Sequence, residues 1–407
     1  MKILNINTES HFSRYFNSLV WVDDFKKIGI ETSLIVGDNS FMNYTEVESI
    51  SNNKSRISLE LSRMLNRVQF KLGVQNKFTF HDDEISKSTR YSEADLVHMH
   101  VLSPDFLKLK TLDRISQDKP FVWTWHDPSY LTGHCIYPGK CSNWKLNCKS
   151  CPDLERGFEV GRDRAFKNRK EKFKRFSKMN FQVHVASEWM KNLIQESDLE
   201  LKRDPVVIPL PSRFKIIDRL AHRRIFREKY EIKPHDLVIG FRDNNQWQKN
   251  IKGVQDLLIN LPNKDIVIVS VDQQDILFQF KKKFKVIELG HLNNDTDLKY
   301  FFSGIDIFLN LSTDEAYGMM AVESTSLGTP VMAFKNTATF ETLKKYGGFP
   351  IRSIQEGVSI IRNIMIEPTS MHRKLEKVVK TQNLGEIETE EYVNKMKHLY
   401  TKIISEF

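Results

Sequence analysis

The chain has 407 residues, which at about 150 residues per domain is enough for two to three domains, each with a sizeable core. Hydrophobic residues make up 40% and charged residues 28%, so a mostly disordered chain and an integral membrane protein are both excluded. Lys and Arg (61) outnumber Asp and Glu (52), a net charge of +9 that suits nucleotide phosphates, lipid head groups or nucleic acid and selects none of them.

No stretch approaches the ~18 uninterrupted apolar residues of a membrane span. The opening Met1-Lys-Ile-Leu-Asn-Ile-Asn is too short and soon too polar for a signal peptide, and reads as a buried first strand. The expected location is the cytosol, where thiols stay reduced.

Strands are predicted at Lys2–Asn7, Thr32–Val36, Leu96–His100, Phe121–Trp125, Gln182–Ala186 and Val206–Ile208. Amphipathic helices are predicted between them at Phe16–Ile28, Arg56–Leu72 and Phe106–Gln117. Short apolar runs alternating with helical periods specify βαβ units and a parallel sheet covered on both faces. Two of these strands end in histidines, Asp95-Leu-Val-His-Met-His100 and Phe121-Val-Trp-Thr-Trp-His126-Asp127; His98 and His100 read as structural.

All four cysteines fall within residues 133–153, spaced C-x5-C-x6-C-x2-C at Cys135, Cys141, Cys148 and Cys151. Four thiolates with Pro138-Gly139 turning between them suit one tetrahedral, closed and therefore structural zinc. A reactive or disulfide pair and plain buried thiols are the alternatives. The segment Arg162–Lys178 follows, densely basic with Phe166, Phe173 and Phe176 on one helix face. It reads as a solvated helix docked by its aromatic stripe, or as attraction to an anionic membrane leaflet.

Leu210–Arg213, with Pro209 and Pro211, is the expected linker. A second βα run follows, with strands at Leu237–Phe241, Asp265–Val271, Val286–Leu289, Ile305–Asn310 and Val331–Phe334. Helices are predicted at Val254–Leu261 and Met319–Leu327, with a polar terminal helix over Glu388–Ser405. The domains are then 1–210 and 211–407, the terminal helix being free to pack back on the first. Two doubly wound sheets leave a cleft at their strand C-termini, where ligands bind.

The segment from Asp314 to Ala333 carries the most chemistry. A strand runs into Ser312-Thr313-Asp314, then Gly318 opens a helix closed by Gly328. Its free amides and dipole make an anion site suited to a diphosphate, which Gly318 lets approach closely. Glu315 precedes this helix and Glu323 lies within it. Asp295-Thr-Asp297 is a D-x-D of the kind that can hold Mg²⁺, but its place before a predicted helix at Leu298–Ser303 assigns it to capping.

Here the chain resembles the retaining glycosyltransferases of family 4, whose E-x7-E signature and Gly-Thr-Pro-Val match Glu315…Glu323 and Gly328–Val331. Gly290-His-Leu and Phe302-Ser-Gly-Ile-Asp306 resemble the lead-in to that signature. The resemblance implies the GT-B fold, α/β with two doubly wound Rossmann-like domains facing across a cleft. It implies that Glu323 binds the donor ribose, Glu315 the transferred sugar, and the backbone at Tyr317, Gly318, Met319 and Met320 the diphosphate or sugar. Arg242 and Lys252 would fill the family's cationic pair, with Lys249 a competitor for Lys252. Two fixed cations and a helix N-terminus would offset charge on a leaving diphosphate, so no catalytic divalent metal is expected.

His126-Asp127 resembles the family's strand-end pair beside the transferred sugar. The loop Thr8–Tyr15 lacks the family's glycines, and His11, Ser13 or Arg14 would have to substitute with side chains. The cysteine insertion resembles one in a subset of polysaccharide-building members. The implied activity is sugar transfer from a nucleotide-diphosphate sugar to a growing surface glycan or a lipid-linked acceptor, in the cytoplasm or peripherally at the inner face of the membrane. The alternatives are an epimerase or phosphorylase of the same fold, or a basic zinc protein gripping nucleic acid. Against the last, no RNA-binding motif interleaves the basic residues, and no nucleic-acid partner is expected.

Overall fold

The computed structural model describes residues 1–9, 18–38, 45–50, 56–79, 82–214, 218–262, 265–272, 275, 277–292, 294–367 and 384–407. His11, Ser13 and Arg14 lie outside these residues. The chain divides into two compact units, Met1–Leu210 with Glu390–Phe407, and Pro211–Thr389. The division falls within the proline-flanked segment.

The first unit is a seven-stranded parallel sheet in the order β3-β2-β1-β4-β5-β6-β7. Its strands are β1 (Lys2–Glu9), β2 (Glu31–Asp38), β3 (Val47–Ser49), β4 (Leu96–Met99), β5 (Phe121–Thr124), β6 (Gln182–Val185) and β7 (Val206–Val207). The second unit is a six-stranded parallel sheet, β10-β9-β8-β11-β12-β13. It comprises β8 (Leu237–Asp243), β9 (Ile266–Asp272), β10 (Lys285–Glu288), β11 (Ile307–Asn310), β12 (Val331–Phe334) and β13 (Phe349–Ile351). Each sheet reverses its order beside its first strand, the doubly wound pattern of a Rossmann-like unit.

Consecutive residues of the second sheet feed two separate cores. Ile239, Phe241, Ile268, Leu309 and Met332 enter one, while Val238, Val267, Val269, Phe308 and Ala333 enter the other. Because side chains alternate along a strand and both faces are buried, these strands read as continuous apolar runs. That is why they were legible. Strands β3 and β13 were not expected: each is three residues long at a sheet edge, one built of Val-Glu-Ser and the other interrupted by Pro350. Edges tolerate both.

In the first unit the helix Leu384–Ser405 supplies Tyr392 and Tyr400 to the core. The Tyr392 ring lies 4.5 Å from that of Trp21, and the Tyr400 ring 6.3 Å from that of Phe25. The predicted Phe16–Ile28 helix is shorter, a turn at Leu19–Trp21 leading into Val22–Lys27, and residues 16 and 17 lie outside the described set.

Candidate functional site

Strand β11 ends at Asn310 and hands the chain to a polar loop, Leu311–Gly318, before the helix Met319–Ser326. The loop is tied down from inside. The Ser312 hydroxyl lies 3.0 Å from Asn310 Oδ1 and 3.3 Å from Glu315 Oε2, and Asn310 Nδ2 donates to Thr339 Oγ1 at 3.1 Å. Gly318 has φ +85°, and a Cβ there would meet Thr339 Oγ1 at 2.7 Å. Both the left-handed conformation and the space require glycine. No side chain caps the helix at Gly318. Tyr317, Met319 and Met320 are half-buried around this N-terminus.

A second loop, after β8, lies against the first. Thr313 N donates to Gln248 O at 2.8 Å, and Asn250 Nδ2 to Leu311 O at 3.0 Å. Asn250 sits in the left-handed region and also caps the helix Ile251–Ile259 by accepting from Gly253 N. These ties carry Lys249 to Glu315, where Nζ lies 2.8 Å from Oε2. Lys252, one turn on, is exposed in the first turn of the helix. Of the two candidate lysines, the structure brings Lys249 to the signature carboxylate.

Arg242, next to last in β8, pairs through Nε with Asp272 at the end of β9, and its Nη1 lies 3.5 Å from Met320 Sδ. The cation thus sits by the first turn of the helix Met319–Ser326. Glu323 is buried, 4% exposed, and its Oε1 lies 3.3 Å from Arg213 Nε. Arg213 also reaches Asp295 at 3.3 Å. Sequence reasoning missed Arg213, which it had placed only in a linker. A buried carboxylate needs a cation or donors, and that demand was the available signal.

Other parts of the signature are structural. Asp306 receives Val238 N, Arg223 and Arg227 at 2.8, 2.6 and 2.7 Å. Thr329 Oγ1 donates to Phe302 O, and Pro330 O accepts from Phe308 N. The D-x-D is corrected in detail: the helix runs Asp295–Gly304 and its N-cap is Asn294, whose side chain accepts from Asp297 N at 2.8 Å. Asp295 and Asp297 therefore lie in the first turn, where negative charge favours the dipole.

In the first unit His126 lies just beyond β5. Its Nε2 is 3.3 Å from His100 Nδ1, whose Nε2 is in turn 2.9 Å from Asn5 Oδ1. Burial, then the neighbouring His184, pushes the His126 pKa down to about 3. His98 is fully enclosed between Tyr400 Oη at 2.8 Å and Thr124 Oγ1 at 2.7 Å, the structural role expected of it. Asp127 accepts from Ser129 N at 2.8 Å and caps the turn Pro128–Leu131, and burial raises its pKa.

The cysteine insertion differs from the four-thiolate expectation. His134, Cys135 and Cys151 place one ligand atom each within 4.8 Å of one another, and His134 Nε2 lies 3.1 Å from Cys151 Sγ. Among the described residues Cys141 and Cys148 are not in that group. Burial first, and then Cys151 and Cys148, push the Cys135 thiol up to about 12. The adjacent His-Cys of Gly133-His134-Cys135 was the signal for the histidine.

The basic run is corrected as well. It forms the helix Ala165–Phe176, but Arg169 and Lys172 are buried rather than solvated. Arg169 donates to Leu131 O and Leu146 O at 3.1 and 2.7 Å and pairs with Asp198. Lys172 donates to Ser129 O and Thr132 O at 3.0 and 3.2 Å. These two cations clamp the loops on either side of Cys135. Among the described residues no helix is long and apolar enough to cross a membrane.

Residues 222–389 match the family described as glycosyl transferases group 1. Over 315 residues, 71% of each chain, the sequence is 23% identical to the Escherichia coli (strain K12) protein assigned by name to colanic acid biosynthesis as glycosyl transferase WcaC. Among solved structures, HepE of Anabaena in complex with UDP and glucose aligns with a TM-score of 0.66 at 16% identity, covering 98% of this chain and 99% of that one. Sucrose-phosphate synthase from Thermosynechococcus elongatus aligns over the whole of both chains, with a TM-score of 0.65 at 12% identity. These likenesses agree with a GT-B fold of two Rossmann-like units. The match to the group 1 glycosyl transferases thus falls wholly within the second unit.

Proposed function

We propose that the protein is a retaining glycosyltransferase that moves a sugar from a nucleotide-diphosphate sugar to a growing surface glycan or a lipid-linked acceptor. The observation that carries this reading is the uncapped helix N-terminus at Gly318 with Arg242 beside its first turn and Glu323 buried in its second. Amides and a cation suit the diphosphate, and a carboxylate within a turn or two suits a ribose diol. Glu315, held by Lys249, takes the transferred sugar. HepE is solved with UDP and glucose, which supports a UDP-sugar donor. The name of WcaC supports a polysaccharide as product.

In this reading the leaving diphosphate gathers negative charge as the glycosidic bond breaks. Arg242, Lys249 or Lys252, and the amides at Tyr317–Met320 meet that charge, so no divalent metal is required. The acceptor hydroxyl attacks from the face the diphosphate leaves, a phosphate oxygen taking its proton, which retains the anomeric configuration. His126 and Asp127 contact the sugar and position it.

The Cys135 group suits a structural zinc. His134, Cys135 and Cys151 are nitrogen and sulfur ligands gathered around one point, the donor set that suits zinc. Cys141 or Cys148 would supply the fourth ligand. We place the protein in the cytoplasm, at the membrane's inner face where lipid-linked acceptors are presented.

The test is a thermal-shift screen of nucleotide-diphosphate sugars, followed by transfer assays with glycan acceptors. A binding donor at 100 times its Kd adds about 2.7 kcal/mol to stability, a readable rise in Tm. No rise with any donor, at concentrations that saturate related enzymes, overturns the reading. Turnover of the sugar nucleotide with no acceptor present would favour an epimerase instead.

A further inference from the structure

One cavity of the first unit is not used by the proposed transfer chemistry. It encloses about 230 Å³ and is lined by Lys77, Arg164, Lys167 and Lys172 against a single carboxylate, Glu171. Gln75 stands in its wall, only 5% exposed, and among the described residues neither Oε1 nor Nε2 of its amide meets a hydrogen-bond partner. Burying an amide without partners is unfavourable, so such groups are kept where something else bonds them. Behind Gln75 a second space of about 10 Å³, shared with Lys172, has room for a single water. That water can serve one end of the amide and leaves the other for the larger cavity.

Three further features give the cavity a sign and a place. Lys172 spends two of its three ammonium protons on Ser129 O and Thr132 O, which leaves one. Two helices start at the wall, Leu109–Asp118 and Ala165–Phe176, and neither is capped by its N-cap side chain, although Asp163 takes the Ala165 amide. Their positive ends add to the cations. Both helices follow strands β4 and β5 in chain order, so these ends lie at the strand C-termini, the side of a doubly wound sheet where ligands bind. Lys77 already draws an anion, the Glu171 carboxylate at 3.7 Å.

From the unpartnered Gln75 amide, the four cations and the two helix ends, we infer that this cavity binds a phosphoryl or diphosphate group. The volume is below the roughly 300 Å³ at which pockets begin to hold drug-sized ligands, so it suits one or two phosphoryl groups and not a whole sugar nucleotide. Resting on the function proposed above, the source is the diphosphate of a lipid-linked acceptor. A free phosphate is the other source of the same chemistry.

The test separates this pocket from the second unit and from catalysis. In an Arg242→Ala/Lys249→Ala/Lys252→Ala background, which removes the cations proposed to hold the donor diphosphate, the full-length protein is titrated with inorganic pyrophosphate by calorimetry. Adding Arg164→Ala/Lys167→Ala should weaken binding about tenfold or more, and Gln75→Met should weaken it too, with Tm unchanged for the exposed Lys167→Ala alone. Equal affinity with and without these substitutions, in folded protein, overturns the inference. The source is read in the otherwise native enzyme. Arg164→Ala/Lys167→Ala should raise KM about tenfold for a prenyl-diphosphate-linked sugar, leave kcat alone, and leave KM for the same sugar on an uncharged octyl aglycone unchanged. Weakened pyrophosphate binding with neither KM moved overturns the acceptor as source in favour of a free phosphate. Pyrophosphate binding that tracks Arg164 and Lys167 in a protein that transfers no sugar leaves the pocket standing and removes the glycosyltransfer reading instead.

Discussion

Lys249 Nζ lies 2.8 Å from Glu315 Oε2, and two backbone ties, Thr313 N to Gln248 O and Asn250 Nδ2 to Leu311 O, hold the loops that carry them together. The pair is partly buried, its side chains 22% and 12% exposed. In the free protein each group satisfies the other. A diphosphate would compete for the lysine and release the carboxylate for sugar hydroxyls.

Lys249→Ala should therefore lower kcat/KM by about 10²-fold or more, the scale of losing one fixed positive group at a developing anion. Lys252→Ala, exposed one turn away, should cost less. Steady-state kinetics on both variants decides between them; a crippled Lys252→Ala beside a normal Lys249→Ala would reassign the diphosphate contact.

Glu323→Ala should weaken UDP binding by roughly 1.5–3 kcal/mol if the carboxylate holds a ribose diol. Arg213→Met should act differently. It strands a buried carboxylate and should cost about 3–5 kcal/mol of folding stability in urea titrations. The double variant Arg213→Met/Glu323→Gln should recover part of that loss. No recovery would mean that the Arg213–Glu323 contact is not what stabilises this part of the fold.

Acid should destabilise the first unit through its histidines. His126 and His184 have folded pKa values pushed by burial to about 3 and about 4, below the 6.5 of an unfolded histidine. Between those limits the unfolded chain binds protons that the folded one does not. The stability they contribute is therefore full above pH 6.5 and lost as pH falls toward 3. Each contributes a slope of about 1.4 kcal/mol per pH unit across the window. Replacing His126 with Gln should flatten the slope between pH 5.5 and 4 by that amount, and an unchanged slope would show that His126 charges freely in the fold.

Purified protein should carry about one zinc per chain, read by elemental analysis of material prepared without chelator. His134→Ala and Cys151→Ser should lose it along with several degrees of Tm. A metal content unmoved by His134→Ala would return the site to four thiolates, and no metal at all would leave the cysteines as ordinary thiols.

How far the sequence spoke depends on what each residue answers to. The apolar runs of β8, β9 and β11 follow from burial on both faces, a local pattern. Gly318 and the two signature glutamates are likewise local, fixed by a turn and a helix start. Arg213 lies 110 positions before Glu323, and Gln75 lies 97 before Lys172. Nothing in either neighbourhood marks such pairs, because what selects them is the desolvation of a distant partner. The basic run misled for a related reason. Composition counts charges, whereas burial decides that Arg169 and Lys172 face carbonyls and Lys167 does not.

The hydrogen bond between Tyr400 and His98 joins residues 302 positions apart and closes the first unit with the last stretch of this sequence. During synthesis at roughly 5–20 residues per second, β4 waits on the order of 15–60 s for the residue that caps its histidine. Over that interval the rings of Trp21 and Phe25 lack the tyrosines that cover them. The second unit, contiguous in sequence, closes within its own span Pro211–Thr389, about 9–36 s at the same rate. Ribosome-bound chains should thus mature in reverse of their order of emergence, the later-made unit reaching its native state first while the earlier one remains open to chaperones.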